Sequence, residues 1–261
     1  MGASVNEVLL TCGIGDFIAM ESYFTAAERD NVKVIHWATR ARTSLMQLVP
    51  FVFKNVQWHK IERDTWGPAL SKDYSIASRD ELPGLDKSVV DWNVTDIVKE
   101  VWGGKRTYGA SSLISQSLCR IADLDLPERY CVVHPYSENA RTSVRDLSFE
   151  EWLAVYDYCR VRKMQIVVVN NGSERFPTLP GVIDMTDKLD LLSAIEVTKG
   201  ACGFAGSASV FSVVASKKLP KECLFIKGNE ILRERYSTFY YAPHTSNSFI
   251  TDDLRKICPG R

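Results

Sequence analysis

The chain has 261 residues, 45% of them apolar, and its 32 lysines and arginines balance 32 aspartates and glutamates. That length and composition allow one large core or two modest ones, and a formal charge of zero provides no general attraction for a polyanion. No apolar run approaches the ~18 residues of a membrane span and no basic segment leads into an apolar one at the N-terminus, so neither stable membrane insertion nor export is expected, and the cytoplasm is the expected location.

In chain order, EVLL reads as a short strand running toward Gly13, and Phe17, Met20, Phe24 and Ala27 then recur at helical spacing. VKVIHWA is a second strand and NVQWHKI a third. Between Asn31 and Arg63 stand Lys33, Arg40, Arg42, Lys54, Lys60 and Arg63 against a single acid, Glu62, with Trp37, Phe51, Phe53 and Trp58 interleaved. Two readings of that stretch are open: a face that meets phosphate or sugar, and a solvated face over its own core aromatics. Residues 64–87 are rich in Pro, Gly, Ser and charge, which marks a loop excursion, and TDIVKEVW with the basic loop GGKRTYGASS follows.

The polar joint ADLDLPER, with Pro127, ends this half, and the pattern restarts. YCVVHPYS is a strand and loop, SFEEWLAVYDYCRVRK a helix whose Ser148 and Glu151 form a capping-box sequence, and QIVVVNN a buried strand. After GVIDMT come a helix over KLDLLSAIEVTK, the strand GACGFAG, a helix from about Ser207 to Lys217 and the strand ECLFIKG. Strands alternating with helices imply an α/β fold with mostly parallel sheets covered on both faces. The expected organisation is two Rossmann-like domains facing a cleft, 1–122 and 123–240, with a tail over 241–261 packing back on the first. Seven single cysteines without a C-x-x-C pair argue against a disulfide framework or a zinc site and fit small core residues.

Open α/β sheets bind ligands beyond the carboxyl ends of their strands, and three loops fall there. In TCGIGDF, Gly13 and Gly15 permit tight backbone geometry, and Asp16 stands where a helix begins and a carboxylate is electrostatically favoured. As a dinucleotide fingerprint the stretch fails, because Ile18 occupies the place of the last small residue and the second strand ends in His36 and Trp37 rather than an acid. A dehydrogenase is therefore not expected; Asp16 as a helix cap and Asp16 as a catalytic group both remain open. In HPYSENARTSVRDLS, His134, Ser137, Arg141 and Arg145 bring hydrogen-bond donors and two fixed positive charges, a composition suited to phosphate oxygens. In GFAGSAS, the small residues around Gly206 let backbone amides at a helix N-terminus face an anion, and Ser207 or Ser209 can add a hydroxyl. The lysine of a P-loop is missing, so phosphate binding without phosphoryl transfer is the expectation.

VLLTCGIGDFIAMESYFTAA resembles the N-terminal signature of heptosyltransferase-like glycosyltransferases. In the second half VVHPYSENARTSVRDLSFEEW is similar to their donor-phosphate loop, QIVVVNNGSE to the strand after it, and DLLSAIEVTKGACGFAGSASVFSVVA to their helix, strand and Gly/Ser turn. The turn also resembles the corresponding region of fucosyltransferase-type folds. The resemblance implies a two-domain GT-B architecture, with Asp16 as general base, Arg145 in the place of a phosphate-binding basic residue, Gly206 and Ser207 cradling the donor diphosphate, and Glu174 near a nucleotide-contacting acid. The family's turn carries Asp, Ser or Thr, Gly and later His; here Ala205, Gly206, Ser207 and Val210 stand in those places, which puts heptose itself in doubt.

The expected reaction is then an inverting, metal-independent transfer from a nucleotide-diphosphate-sugar to an acceptor hydroxyl, with no further cofactor. Asp16 takes the acceptor proton, while Arg141, Arg145 and the helix end at Gly206 stabilise the departing diphosphate. Ser209 joins the donor side; Gly15, Arg40, Arg42, Lys105 and Arg106 are the candidates on the acceptor side. A saccharide acceptor is expected first and a hydroxymethylated base of DNA second, the latter with steep salt dependence. A noncatalytic nucleotide-binding module on the same fold stays open, as does, more distantly, a thiol enzyme using Cys12 and His134 without a G-x-S-x-G motif. The D-x-D sequence at Asp123 and Asp125 mimics a metal motif but lies in the polar joint.

Overall fold

The computed structural model describes residues 7–10, 14–21, 24, 26–38, 44–54, 56–61, 111–136, 146–170, 177–218, 221–228 and 248–256. The chain forms two compact units, Met1–Gln116 and Ser117–Arg261. The division comes earlier than the polar joint because the segment after Gln116 is already tied to the second unit: the Leu118 amide donates to Glu196 Oε1 at 2.9 Å.

In the first unit β1 (Glu7–Leu10), β2 (Val34–Ala38) and β3 (Gln57–Ile61) form a parallel sheet in that order. His36 and His59, which the sequence presents as isolated, are register partners on β2 and β3. The long helix expected after β1 is divided into α1 (Ile14–Met20) and α2 (Ala26–Asn31). The break follows from Glu21, which is fully buried. Its carboxylate accepts from Ser111 Oγ and from the Ser112 amide at 3.1 Å, and it pairs with Arg29 at 3.2 Å. Arg29 in turn donates to the Glu21 carbonyl at 2.7 Å and to Ser112 Oγ. A short helix α3 (Leu45–Leu48) and another, α4 (Ser112–Ser115), complete the described elements of α type in this unit. Phe17, Ile18, Phe24, Leu45, Leu48, Phe53 and Leu113 are buried, with Phe24 and Phe53 edge to face at 5.1 Å.

The second unit is a six-stranded parallel sheet. Its strands are β4 (Tyr130–His134), β5 (Gln165–Val168), β6 (Val182–Asp184), β7 (Gly203–Ser207), β8 (Cys223–Lys227) and β9 (Ser248–Thr251), in the spatial order β6-β5-β4-β7-β8-β9. Every residue of β4, β7 and β8 is buried, as strands covered on both faces require. Among the described residues three helices connect the strands: α5 (Phe149–Val161), α6 (Leu191–Gly200) and α7 (Val210–Lys217). The capping box at α5 is formed as expected: the Glu151 amide donates to Ser148 Oγ and the Ser148 amide to Glu151 Oε2. The C-terminal segment supplies β9, which pairs with β8 and extends the second sheet beyond its edge.

At α6 the carbonyl groups of the last turn are satisfied from a distance. Tyr130 Oη donates to the Val197 carbonyl at 2.8 Å, and the buried Lys221 ammonium donates to the carbonyls of Thr198 and Lys199 at 3.1 Å each and to that of Ala201. Burial pushes the Lys221 pKa down to about 8 and the Tyr130 pKa up to about 12. The five described cysteines are free: Cys131, Cys159 and Cys223 are buried core residues, Cys119 and Cys202 half-buried, and hydrogen bonding with Cys159 and Cys223 holds the Cys131 thiol well above its ordinary pKa.

Candidate functional site

From β4 the chain of the second unit winds outward through β5 and β6, then returns to place β7 on the other side of β4. Connections leaving two such central strands diverge, and the crevice at their carboxyl ends is where open α/β sheets hold ligands. The residues at that point are His134, which ends β4, and Gly206 and Ser207, which end β7.

Gly206 is fixed by geometry. Its φ is +154°, and a Cβ there would lie 2.2 Å from the His134 carbonyl oxygen, its register partner's backbone. Only glycine lets the two strands approach this closely. His134 is 7% exposed; its Nδ1 lies 2.7 Å from the Val169 carbonyl, so Nδ1 carries the proton, and its ring stands edge to face on Phe211 at 4.8 Å. Ser207 is fully buried and donates from Oγ to the Pro135 carbonyl at 3.2 Å. Both side chains thus hydrogen-bond to backbone carbonyls at the ends of neighbouring strands.

Ser209 differs. It is the N-cap of α7 in extended conformation, and its backbone is served by Ser212, whose Oγ accepts from the Ser209 amide at 2.9 Å and donates to the Ser209 carbonyl at 2.7 Å. The Ser209 hydroxyl faces the Ser212 amide as the reciprocal half of a capping box, but makes no bond within hydrogen-bond limits and is buried without another partner among the described residues. Leaving such a group unpaired costs about 1–3 kcal/mol. Beside it, the amides of Val210 and Phe211 open the helix and have no acceptor within it, and the helix dipole adds partial positive charge. A hydroxyl donor beside a helix N-terminus is the chemistry of an anion site.

The remaining donor candidates Ser137, Arg141, Arg145 and Glu174 lie outside the described residues, as do Arg40, Arg42, Lys105 and Arg106. In the first unit Gly15 and Asp16 are the second and third residues of α1, so Asp16 sits inside the first turn instead of ahead of it; its side chain is outside the description. Of the basic stretch, Lys33 donates to the Asp30 carbonyl at 3.2 Å and Lys54 lies 3.7 Å from the Asp30 carboxylate, all exposed, while Phe53 is core. In its described part the stretch pairs exposed Lys33 and Lys54 with the core aromatic Phe53 and half-buried Phe51 and Trp58. Among the described residues no group of three or more His, Cys, Asp or Glu is placed to hold a metal ion, and Asp123 and Asp125 are exposed.

Two buried charged groups at this site were not singled out by sequence reasoning. Lys227 ends β8 beside Ser207, and Glu151 pairs with it from the first turn of α5. Glu151 was visible as a capping residue; nothing local marks Lys227.

No protein-family model and no curated protein matches the chain. Solved structures do. TibC of enterotoxigenic E. coli, a dodecameric iron-containing heptosyltransferase solved with ADP-D-β-D-heptose, superposes with a TM-score of 0.54 at 13% identity, over 95% of this chain and 65% of its own. A second TibC structure is covered over 58% of its length, so this chain spans less than two thirds of either. E. coli ADP-heptose lipopolysaccharide heptosyltransferase II matches with a TM-score of 0.54 at 11% identity, over 97% of this chain and 94% of its own. A family 9 glycosyltransferase from Veillonella parvula matches with a TM-score of 0.53 at 12% identity, over 96% and 88%. At these identities the likeness establishes a shared fold. No helix among the described residues is long and apolar enough to cross a membrane.

Proposed function

We propose that the chain is a glycosyltransferase that moves a sugar from a nucleotide-diphosphate-sugar to an acceptor hydroxyl, with its two units in the GT-B arrangement. The observation that carries this reading is the buried, unpartnered hydroxyl of Ser209 at the N-terminus of α7, at the switch point between β4 and β7. The fold is one shared with enzymes named for ADP-heptose transfer. A diphosphate oxygen satisfies that hydroxyl and the first-turn amides together, and a leaving diphosphate gains negative charge where the helix dipole stabilises it.

In this reading Gly206, Ser207 and His134 shape the turn, Ser209 and the α7 amides hold the diphosphate, and Arg141, Arg145 and Ser137 add charge and a further donor. Glu174 contacts the nucleotide. Asp16 accepts the proton of the acceptor hydroxyl as its oxygen bonds to the anomeric carbon, and the bond to the diphosphate breaks with inversion. Positive side chains and the helix end serve the leaving group in place of a metal. Gly15, Arg40, Arg42, Lys105 and Arg106 form the acceptor side, and the acceptor is a saccharide.

A thermal-shift screen against ADP, UDP, GDP and their sugars tests the reading. A ligand at 100 times its Kd stabilises the folded state by about 2.7 kcal/mol, which raises the melting temperature by several degrees. A Ser209→Ala variant is expected to lose most of that rise. If no nucleoside diphosphate or sugar nucleotide stabilises the parent protein, the proposal fails.

A further inference from the structure

Helix α5 packs on the second sheet with Glu151, Trp152, Val155 and Cys159 buried beneath it. A helix covering a sheet ordinarily turns a polar face to water. On α5 that face is half apolar. Phe149 is 46% exposed, Leu153 36% and Val161 54%, and these are the exposed large apolar side chains among the described residues. At the ~100° turn per residue of an α-helix they lie within an arc of about 120°, opposite the buried face. Exposed apolar residues scattered singly need no explanation, but a contiguous stripe of them marks a surface that meets a partner.

The charges along the stripe indicate which partner. Exposed Glu150 stands in the first turn of α5, and Arg255, which lies near it, is engaged by Asp253 at 2.8 Å. Arg160 stands in the last turn, held along the stripe by Asp157 at 3.4 Å, and exposed Arg162 and Lys163 follow it. A stripe acidic at one end and basic at the other is complementary to itself when turned end for end. A parallel arrangement would instead set Glu150 against Glu150 and Arg160 against Arg160. The helix dipoles favour the antiparallel arrangement as well.

We propose that the outer face of α5 is a dimerisation surface on which a second copy of this chain docks antiparallel, with Phe149 against Val161 and Glu150 against Arg160 across a two-fold axis level with Val155. Each contact then occurs twice, as an isologous interface requires, and Leu153 lies about one turn from its own copy. The apolar stripe supplies attraction, while the terminal charges set direction and exclude the parallel pairing. One helix from each copy is a small interface, so association is weak, with a dissociation constant on the order of 10–100 μM. The proposal is independent of the glycosyltransferase reading, since it uses neither the crevice at β4 and β7 nor a nucleotide.

Sedimentation velocity of the full chain over about 1–500 μM, a range that brackets that constant, is expected to show monomer passing into dimer. Leu153→Glu should raise the dissociation constant at least about tenfold, because it brings like charges together at the centre of the stripe. Glu150→Lys alone and Arg160→Glu alone should each weaken the dimer by a similar factor, and the two combined should return it to within about threefold of the parent. All these positions are exposed, and circular dichroism verifies that each variant is folded. A parent chain that stays monomeric throughout overturns the proposal; if that monomer co-sediments with phosphatidylglycerol vesicles, the stripe serves a membrane surface instead. A dimer indifferent to Leu153→Glu and to the charge variants forms through another face, which also overturns it. Single charge variants that weaken the dimer without rescue by their combination overturn the antiparallel pairing.

Discussion

Replacing Gly206 by alanine places a methyl carbon 2.2 Å from the His134 carbonyl oxygen, 2.8 Å from its carbon and 2.9 Å from the His134 nitrogen. All three are backbone atoms of the neighbouring strand, so no side chain can swing away. The φ of +154° adds the strain of a region that L-residues avoid, about 1–3 kcal/mol. Relief requires β7 to withdraw from β4 at the His134 and Gly206 rung, with ladder hydrogen bonds there weakened at about 1 kcal/mol each. The expected total is about 3–5 kcal/mol, a large part of the 5–15 kcal/mol typical of a domain. The built-in control is Gly181, which also has positive φ, +77°, but where an added methyl group would meet nothing within 4 Å. Gly181→Ala bears the conformational cost alone. Urea unfolding of the two variants, read at β-sheet and aromatic signals, measures the difference. If Gly206→Ala unfolds within about 1 kcal/mol of Gly181→Ala, the close approach of β4 and β7 at the site is refuted, and the geometry assigned to the anion site goes with it.

Asp16→Asn is expected to lower sugar transfer by about 10²–10⁴-fold while nucleoside diphosphate affinity, read by calorimetry, stays within twofold; equal losses in both would remove Asp16 from the role of base. Lys221 loses its proton near pH 8 in the folded chain and near 10.5 in the unfolded one, so between those values the unfolded state binds more protons and stability rises with pH. The stability of the parent relative to Lys221→Met should therefore grow by about 3 kcal/mol between pH 7 and 11, measured as the difference in unfolding free energy; a flat difference would show the ammonium keeps its ordinary pKa. Glu21→Gln leaves the Arg29 guanidinium without its buried partner and should destabilise the first unit by about 3 kcal/mol, seen by chemical unfolding, with nucleotide affinity of the second unit unchanged.

The strands and the capped helix were legible because their signals are local. VVH and LFI are short apolar runs with turn residues beside them, and the Ser148 and Glu151 box spans one helical turn. What the sequence could not show depends on register between distant segments. Whether the Ser207 hydroxyl faces a ligand or the Pro135 carbonyl is decided by how β7 lies on β4, 72 residues away in sequence. Lys227 meets Glu151 across 76 residues, and Glu21 meets Ser111 across 90. The C-terminal strand went unread for a related reason: SFIT is too short to announce its partner, which is set by the edge of β8.

The run from Gly203 to Ser209 shows how packing and function can be separated at a small-residue turn. A methyl group at Gly203 would lie 2.6 Å from Cys223 Sγ and 3.2 Å from Cys131 Sγ, so that glycine makes room for two core thiols. Gly206 admits the His134 backbone, and Ser207 is consumed by Pro135. Each of these small residues is explained by the fold alone, and none needs a ligand. Ser209 sits in a capping-box arrangement with Ser212, yet its hydroxyl makes no hydrogen bond within the described residues, so its capping role leaves a buried donor unsatisfied. The family likeness pointed to Gly206 and Ser207 as the cradle, with Ser209 beside them on the donor side; of the three, Ser207 donates to the Pro135 carbonyl, and the proposal places the diphosphate contact at Ser209. On the proposed reading Ser207→Ala and Ser209→Ala should therefore differ: Ser209→Ala is expected to lose nucleotide-induced stabilisation in a thermal-shift assay, and Ser207→Ala to lose the hydrogen bond to the Pro135 carbonyl while keeping most of that stabilisation; equal losses would refute the assignment.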